Sequence, residues 1–133
     1  MSFSYKAKIP GQLPSMKNSK RIVKNFKTGK PMVIKKQSAL DWEERAMYSL
    51  TRPMKPHEGE VALVGVFYYN TKLSDLDENL LMDILEKRGV IKNDRQVKGK
   101  LTRWELDKEN PRVEFELMDM ELFHELTDEI YEG

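Results

Sequence analysis

Apolar residues recur along this chain with two different periods, and the switches between them mark out its elements. Residues 3–9 alternate loosely, as a strand does, and Pro10-Gly11 ends them. A loop over residues 13–20 follows, stiffened by Pro14. Residues 21–25 and 32–35 then flank Lys27-Thr28-Gly29-Lys30, a pattern that predicts a hairpin with Gly29 at positive φ. Ala39, Trp42, Ala46, Met47 and Leu50 fall on one helical stripe reaching about Thr51, with Ser38 expected as N-cap and Asp41 at N3. Trp42 on that stripe reads as core rather than as a base-stacking platform.

From Glu60 to Asn70 the run Val-Ala-Leu-Val-Gly-Val-Phe-Tyr-Tyr is apolar on both faces, which predicts a central strand. It delivers the chain into an apolar helix with Leu80, Leu81, Ile84 and Leu85 inward, ending near Arg88 with Gly89 at C′. Residues 97–106 and 112–118 read as two further strands. The turn Asp107-Lys108-Glu109-Asn110-Pro111 between them predicts antiparallel pairing. Beyond Asp119, Leu122, Phe123, Leu126 and Ile130 recur at helical spacing. The expected fold is α+β: a single domain with a mixed, mostly antiparallel sheet, two main helices packed on it and an acidic C-terminal helix. The core spans about 3–118, with 119–133 as an extension.

Composition narrows the class. The 133 residues suffice for one domain with a respectable core, and a charged fraction of 34% against a hydrophobic fraction of 39% describes a highly charged surface. No apolar run approaches the roughly 20 residues of a spanning helix. The stretch Met1-Ser2-Phe3-Ser4-Tyr5-Lys6 lacks the apolar core of a signal peptide, and with no cysteine there is neither a disulfide framework nor a thiolate metal site. A cytoplasmic protein with no membrane partner is expected.

The net charge of +1 conceals a division. Residues 1–57 carry 13 Lys and Arg against three acids, a balance of +10; residues 58–133 carry 10 basic and 19 acidic, a balance of −9. The densest basic stretch, 16–36, holds Lys17, Lys20, Arg21, Lys24, Lys27, Lys30, Lys35 and Lys36 and no acid. Such a run is either a solvated loop or a grip on an anionic polymer, and nearby phosphate chemistry decides between them.

That chemistry is offered by Ser74-Asp75-Leu76-Asp77-Glu78-Asn79-Leu80 and, after the helix, Asn93-Asp94-Arg95-Gln96-Val97. Should the chain fold back, Asp75, Asp77 and Asp94 would bring three carboxylates to one point. Hard carboxylate oxygens are what Mg²⁺ requires, and such an ion activates water against a phosphodiester. The competing reading is structural: acids in a helix's first turn offset its positive end, and Ser74 with Asp77 forms a capping-box variant. Asp83 reads as a helix-surface residue; His57 and His124 carry little signal.

The aspartate pair, the following Asn-Leu, the Asp-x-Leu, the helix-ending Gly and the Asn-Asp-x-Gln-Val turn together resemble the RusA family of Holliday junction resolvases. Pro14-Ser15-Met16-Lys17-Asn18-Ser19-Lys20-Arg21 is similar to that family's Pro-Ser-x-x-Asn segment. Gly29-Lys30-Pro31-Met32-Val33-Ile34 and Trp42-Glu43 resemble its phage-type members. The resemblance covers roughly residues 7–118. It implies a phage or prophage endonuclease acting in the bacterial host cytoplasm as a homodimer on four-way DNA junctions. Asp75, Asp77 and Asp94 would be its catalytic, Mg²⁺-binding residues, with Mn²⁺ as a substitute. The DNA-binding set would be Lys17, Asn18, Lys20, Arg21, Lys24, Lys27 and Lys30, with Glu78, Lys92 and Lys98 in support. Two departures stand out. The lysine the family carries one turn after its aspartate pair is missing here, leaving Lys92, Lys98 or Lys100 as alternatives to supply that charge, and Asn93 replaces a second acid in the later turn.

Two other classes stay open on the sequence. One is a non-catalytic phage DNA-binding or regulatory protein using the basic 16–36 segment. The other is an adaptor working through the acidic C-terminal helix.

Overall fold

The computed structural model describes residues 3–14, 20–72 and 76–132. Strands β1 (Ser4–Pro10), β4 (Val61–Tyr69), β5 (Val97–Leu106) and β6 (Arg112–Asp119) form one sheet in the order β1-β6-β4-β5. Strands β2 (Lys20–Lys24) and β3 (Pro31–Lys35) form a separate two-stranded sheet. Helix α1 is Gln37–Ser49, α2 is Asn79–Lys87 and α3 is Met120–Glu132. The molecule is a single small α+β domain, and among the described residues no helix is long and apolar enough to cross a membrane.

The apolar β4 run takes an interior position, where both its edges are paired; one face buries Val61, Leu63, Phe67 and Tyr69, while on the other Ala62 is buried and Val64, Val66 and Tyr68 are half-buried. It pairs antiparallel with β6 on one side and parallel with β5 on the other. The expected β5–β6 hairpin is therefore absent: β4 lies between the two strands. Residues 107–111 form an arch instead, stepping over the end of β4 across two strand spacings, about 10 Å. The Asp107 N–H donates to the Tyr69 carbonyl at 2.8 Å and anchors the arch on the strand it crosses. β5 alternates half-buried and exposed residues along most of its length, with Lys98, Lys100, Arg103 and Glu105 outward, so it tolerates the sheet edge.

One sheet face carries Leu63, Phe67 and Tyr69 of β4 with Val113, Phe115 and Leu117 of β6 and Ile9 of β1. It shares a core with Ala39, Trp42 and Ala46 of α1 and with Leu80, Leu81, Ile84 and Leu85 of α2. All these side chains are buried, in agreement with the stripes read from the sequence. α1 starts two residues earlier than a Ser38 cap would set it. Lys36 is its N-cap without a side-chain cap bond, since an ammonium has no acceptor to offer; the Lys36 carbonyl accepts the Ala39 and Leu40 N–H groups.

α3 lies on the opposite face. Phe123 packs with Ala62 and Met118, and a Cβ on Gly99 would collide with its ring; two small residues make its seat. Asp119 accepts the Leu122 N–H at 2.8 Å and the Phe3 N–H at 2.7 Å, capping the helix while tying β1 to it. The stripe of α3 differs from the one expected. Leu126 is exposed, while Thr127 is buried one turn after Phe123 and donates its hydroxyl to the Phe123 carbonyl.

Candidate functional site

The acidic residues are positioned by α2 and the two turns that flank it. α2 begins at Asn79 with Glu78 as N-cap, so Asp77 precedes the helix instead of occupying its first turn. An Asp77 carboxylate oxygen accepts the Asn79 N–H at 3.1 Å, a local side-chain turn that bends the chain into the helix. Asp75 and Ser74 lie outside the described residues, and with them the expected capping-box variant at Ser74.

β4 ends at Tyr69, and α2 begins at Asn79. The Glu78 carboxylate lies 3.1 Å from the Lys100 ammonium, and Lys100 stands opposite Leu63, the third residue of β4. After α2, Gly89 at φ 82° turns the chain toward β5, whose first residue Val97 pairs with Val61. Asp94 opens the short 3₁₀ turn Asp94–Gln96 just before that pairing. Both acidic turns therefore stand over the amino-terminal part of β4. α2 holds them apart: Asp77 accepts the Asn79 N–H at its entrance, whereas the Asp94 N–H donates to Glu86 at 3.0 Å near its exit. Asn79 and Glu86 are seven residues apart, about 10 Å along a helix. Among the described residues no three acidic or histidine side chains group closely enough to share a cation. The oxygen donors Asp77 and Asp94 suit a hard divalent ion, and the third expected donor, Asp75, is the one not described.

Asn93 and Gln96, read as parts of the motif, are the scaffold of the Asp94 turn. The Asn93 side chain accepts the Arg95 N–H at 2.8 Å. Gln96 accepts the Lys92 and Asn93 N–H groups at 2.7 and 2.9 Å and donates to the His57 and Gly59 carbonyls at 2.7 and 2.9 Å. All the hydrogen-bonding capacity of this one amide fastens the turn to the loop before β4. His57 itself stacks on Phe3, with ring centroids 4.0 Å apart, which gives it a packing role. His124 sits exposed on α3, 4.0 Å from Asp128.

The three candidate lysines separate clearly. Lys92 is bound to Glu58 at 2.7 Å; that hydrogen bond holds the Glu58 carboxyl below its usual range and raises the Lys92 ammonium above its own. Lys98 is exposed on β5. Lys100 alone reaches the acidic turn, through Glu78, and only the parallel β4–β5 register shows it.

The basic stretch divides as well. Lys17 and Asn18 lie outside the described residues. Lys20 and Arg21 are placed in β2 by the register, opposite Lys35 and Ile34. Lys24, Lys27 and Lys30 are exposed about the hairpin turn, and among the described residues none has an acidic partner within salt-bridge reach. The lysines of β1 are placed differently: by register Lys6 and Lys8 stand opposite Glu116 and Glu114 of β6, although Glu116 accepts from the Ser4 hydroxyl and Glu114 from Arg112 rather than from either lysine.

No protein-family model matches the chain, and no curated protein matches it.

Proposed function

We propose that this chain is a metal-dependent DNA endonuclease of the RusA kind, cutting four-way junctions or related branched DNA by phosphodiester hydrolysis. The observation that supports it best is the separation of charge within the fold. Asp77, Glu78 and Asp94 flank one helix above the amino-terminal part of β4, while Lys24, Lys27 and Lys30 sit on a hairpin of their own without acidic partners among the described residues. In this reading Asp75, Asp77 and Asp94 would supply the carboxylates for one or two Mg²⁺ or Mn²⁺ ions, with Asp77 at the entrance of α2 and Asp94 near its exit, and the metal would contribute an activated water and charge stabilisation for the leaving oxygen. Lys100, kept beside the acidic turn by Glu78, supplies the positive charge missing from the first turn of α2. Hairpin lysines hold the phosphate backbone. A homodimer would deliver paired symmetric nicks, in the cytoplasm of a bacterium carrying the phage or prophage.

The test is cleavage of a synthetic four-way junction against linear duplex in Mg²⁺, Mn²⁺ or EDTA, with wild type and Asp77→Asn. Metal-dependent paired nicks in the junction alone are expected, lost in Asp77→Asn and in Asp94→Asn while junction binding persists. Equal cleavage by wild type and Asp77→Asn would sink the assignment of the acids. A second reading, a DNA-binding protein without chemistry, is favoured by one observation: among the described residues no three acids group together. Junction binding without cleavage in any metal would select it.

A further inference from the structure

The turn joining β2 to β3 carries Phe26 at 96% exposure, the most exposed aromatic ring described. An apolar ring so fully hydrated is unfavourable, and its surroundings do nothing to relieve it. The turn is nonetheless well built. The Asn25 N–H donates to the Lys30 carbonyl at 2.8 Å, and the Gly29 N–H to the Asn25 carbonyl at 2.7 Å. The Asn25 side chain accepts the Lys27 N–H at 2.9 Å, and Thr28 Oγ accepts the Lys30 N–H at 3.3 Å. Gly29 takes φ 72°, which lets the turn close. Phe26 is thus displayed by an ordered tip rather than a slack loop.

What surrounds the ring is positive. Lys24 precedes it on β2, Lys27 follows directly, and Lys30 closes the turn, all exposed and, among the described residues, without an acidic partner. An exposed aromatic ring with three exposed lysines in the same hairpin fits a nucleobase whose flanking phosphates the cations can hold. It fits an apolar protein groove poorly, because three ammonium groups would have to be desolvated alongside the ring.

A base inside a continuous duplex has both faces occupied by its neighbours. One at a branch point or in a single-stranded segment has a face to offer. We infer that Phe26 is a stacking wedge: the hairpin enters branched DNA at its discontinuity, Phe26 stacks on an unstacked base, and Lys24, Lys27 and Lys30 hold the phosphates on either side. The inference rests on the nucleic-acid reading above and deepens it, since it assigns the preference for branched over linear DNA to one residue distant in sequence from the acidic turn.

The experiment uses the full chain with a synthetic four-way junction carrying 2-aminopurine beside the branch point, and a linear duplex of the same sequence, in EDTA. Wild type, Phe26→Ala and Phe26→Trp are titrated at several salt concentrations. Phe26→Ala should weaken junction binding about tenfold, within the range for loss of one base–aromatic stack. It should leave duplex binding and the salt slope near wild type, and abolish the 2-aminopurine fluorescence change; Phe26→Trp should retain both. Phe26→Ala matching wild type in junction affinity and fluorescence, with DNA binding intact, overturns the wedge while the nucleic-acid reading stands. Wild type binding neither DNA overturns both. A loss of self-association in Phe26→Ala by sedimentation, with DNA binding unchanged, would assign the ring to a contact between copies and overturn the wedge equally.

Discussion

Gln96 shows how much a single side chain contributes to this site. Its amide makes four hydrogen bonds to backbone groups, two within its own turn and two across to the loop at His57 and Gly59. Gln96→Ala leaves those groups to water or to nothing, and is expected to cost about 2 kcal/mol. If the acidic turn is catalytic, the same change should lower cleavage far more than binding; urea melts and junction assays on one preparation separate the two effects. Trp42 contributes differently. It is buried under α1, and its ring Nε1 has no acceptor among the described residues. Its value is therefore volume. Trp42→Phe should cost less than about 1.5 kcal/mol, whereas Trp42→Ala should cost about 3–5 kcal/mol through the cavity it leaves.

Among the elements, α3 depends most on one ionised group. Asp119 accepts N–H bonds first from Leu122 and then from Phe3, and these hold its carboxyl below the ordinary aspartate value of 3.8. A carboxyl depressed in the folded state contributes stability that is fully present above its unfolded pKa and is lost as the pH falls through the folded one. Below about pH 4, then, the start of β1 and the first turn of α3 should loosen together. Thermal melts from pH 6 down to pH 2.5 check this: wild type should lose more stability on acidification than Asp119→Asn, whose side chain has no charge to lose. A parallel decline in the two proteins would show that the cap does not link them. α2 makes a contrasting case, since Glu78 at its N-cap makes no side-chain cap bond and reaches Lys100 instead. An acid that could have served the helix start is directed toward β5.

Over the whole molecule the opposed charge balances of the two chain halves do not become two charged halves of the fold. β1 is inserted beside β6, which sets Lys6 and Lys8 against Glu116 and Glu114, whereas the hairpin keeps Lys24, Lys27 and Lys30 clear of the described acids. Replacing these three lysines with Ala should therefore lower the dependence of log affinity on log salt by about 0.9 for each phosphate no longer neutralised. An unchanged slope, measured by anisotropy on a junction at several salt concentrations, would remove the hairpin from the interface. The elements themselves were legible because burial imposes periodicity on local sequence. The β4 run, the α1 stripe, the inward leucines of α2, Gly89 at its end and Gly29 in the hairpin turn all stand where the chain pattern puts them. Strand partnership was not legible in this way. Whether β5 joins β6 through its short turn or β4 across a helix depends on which strand most needs both edges covered, a competition among segments far apart in the chain. The acidic site shares that dependence. Asp77 and Asp94 are conspicuous in the sequence, but their distance along α2, the bracing of Asp94 by Gln96 and the approach of Lys100 through Glu78 follow from the β4–β5 register. Local residues select each element because their side chains sort by burial within a few turns or pleats; partners and distances emerge only when those elements compete for the same core.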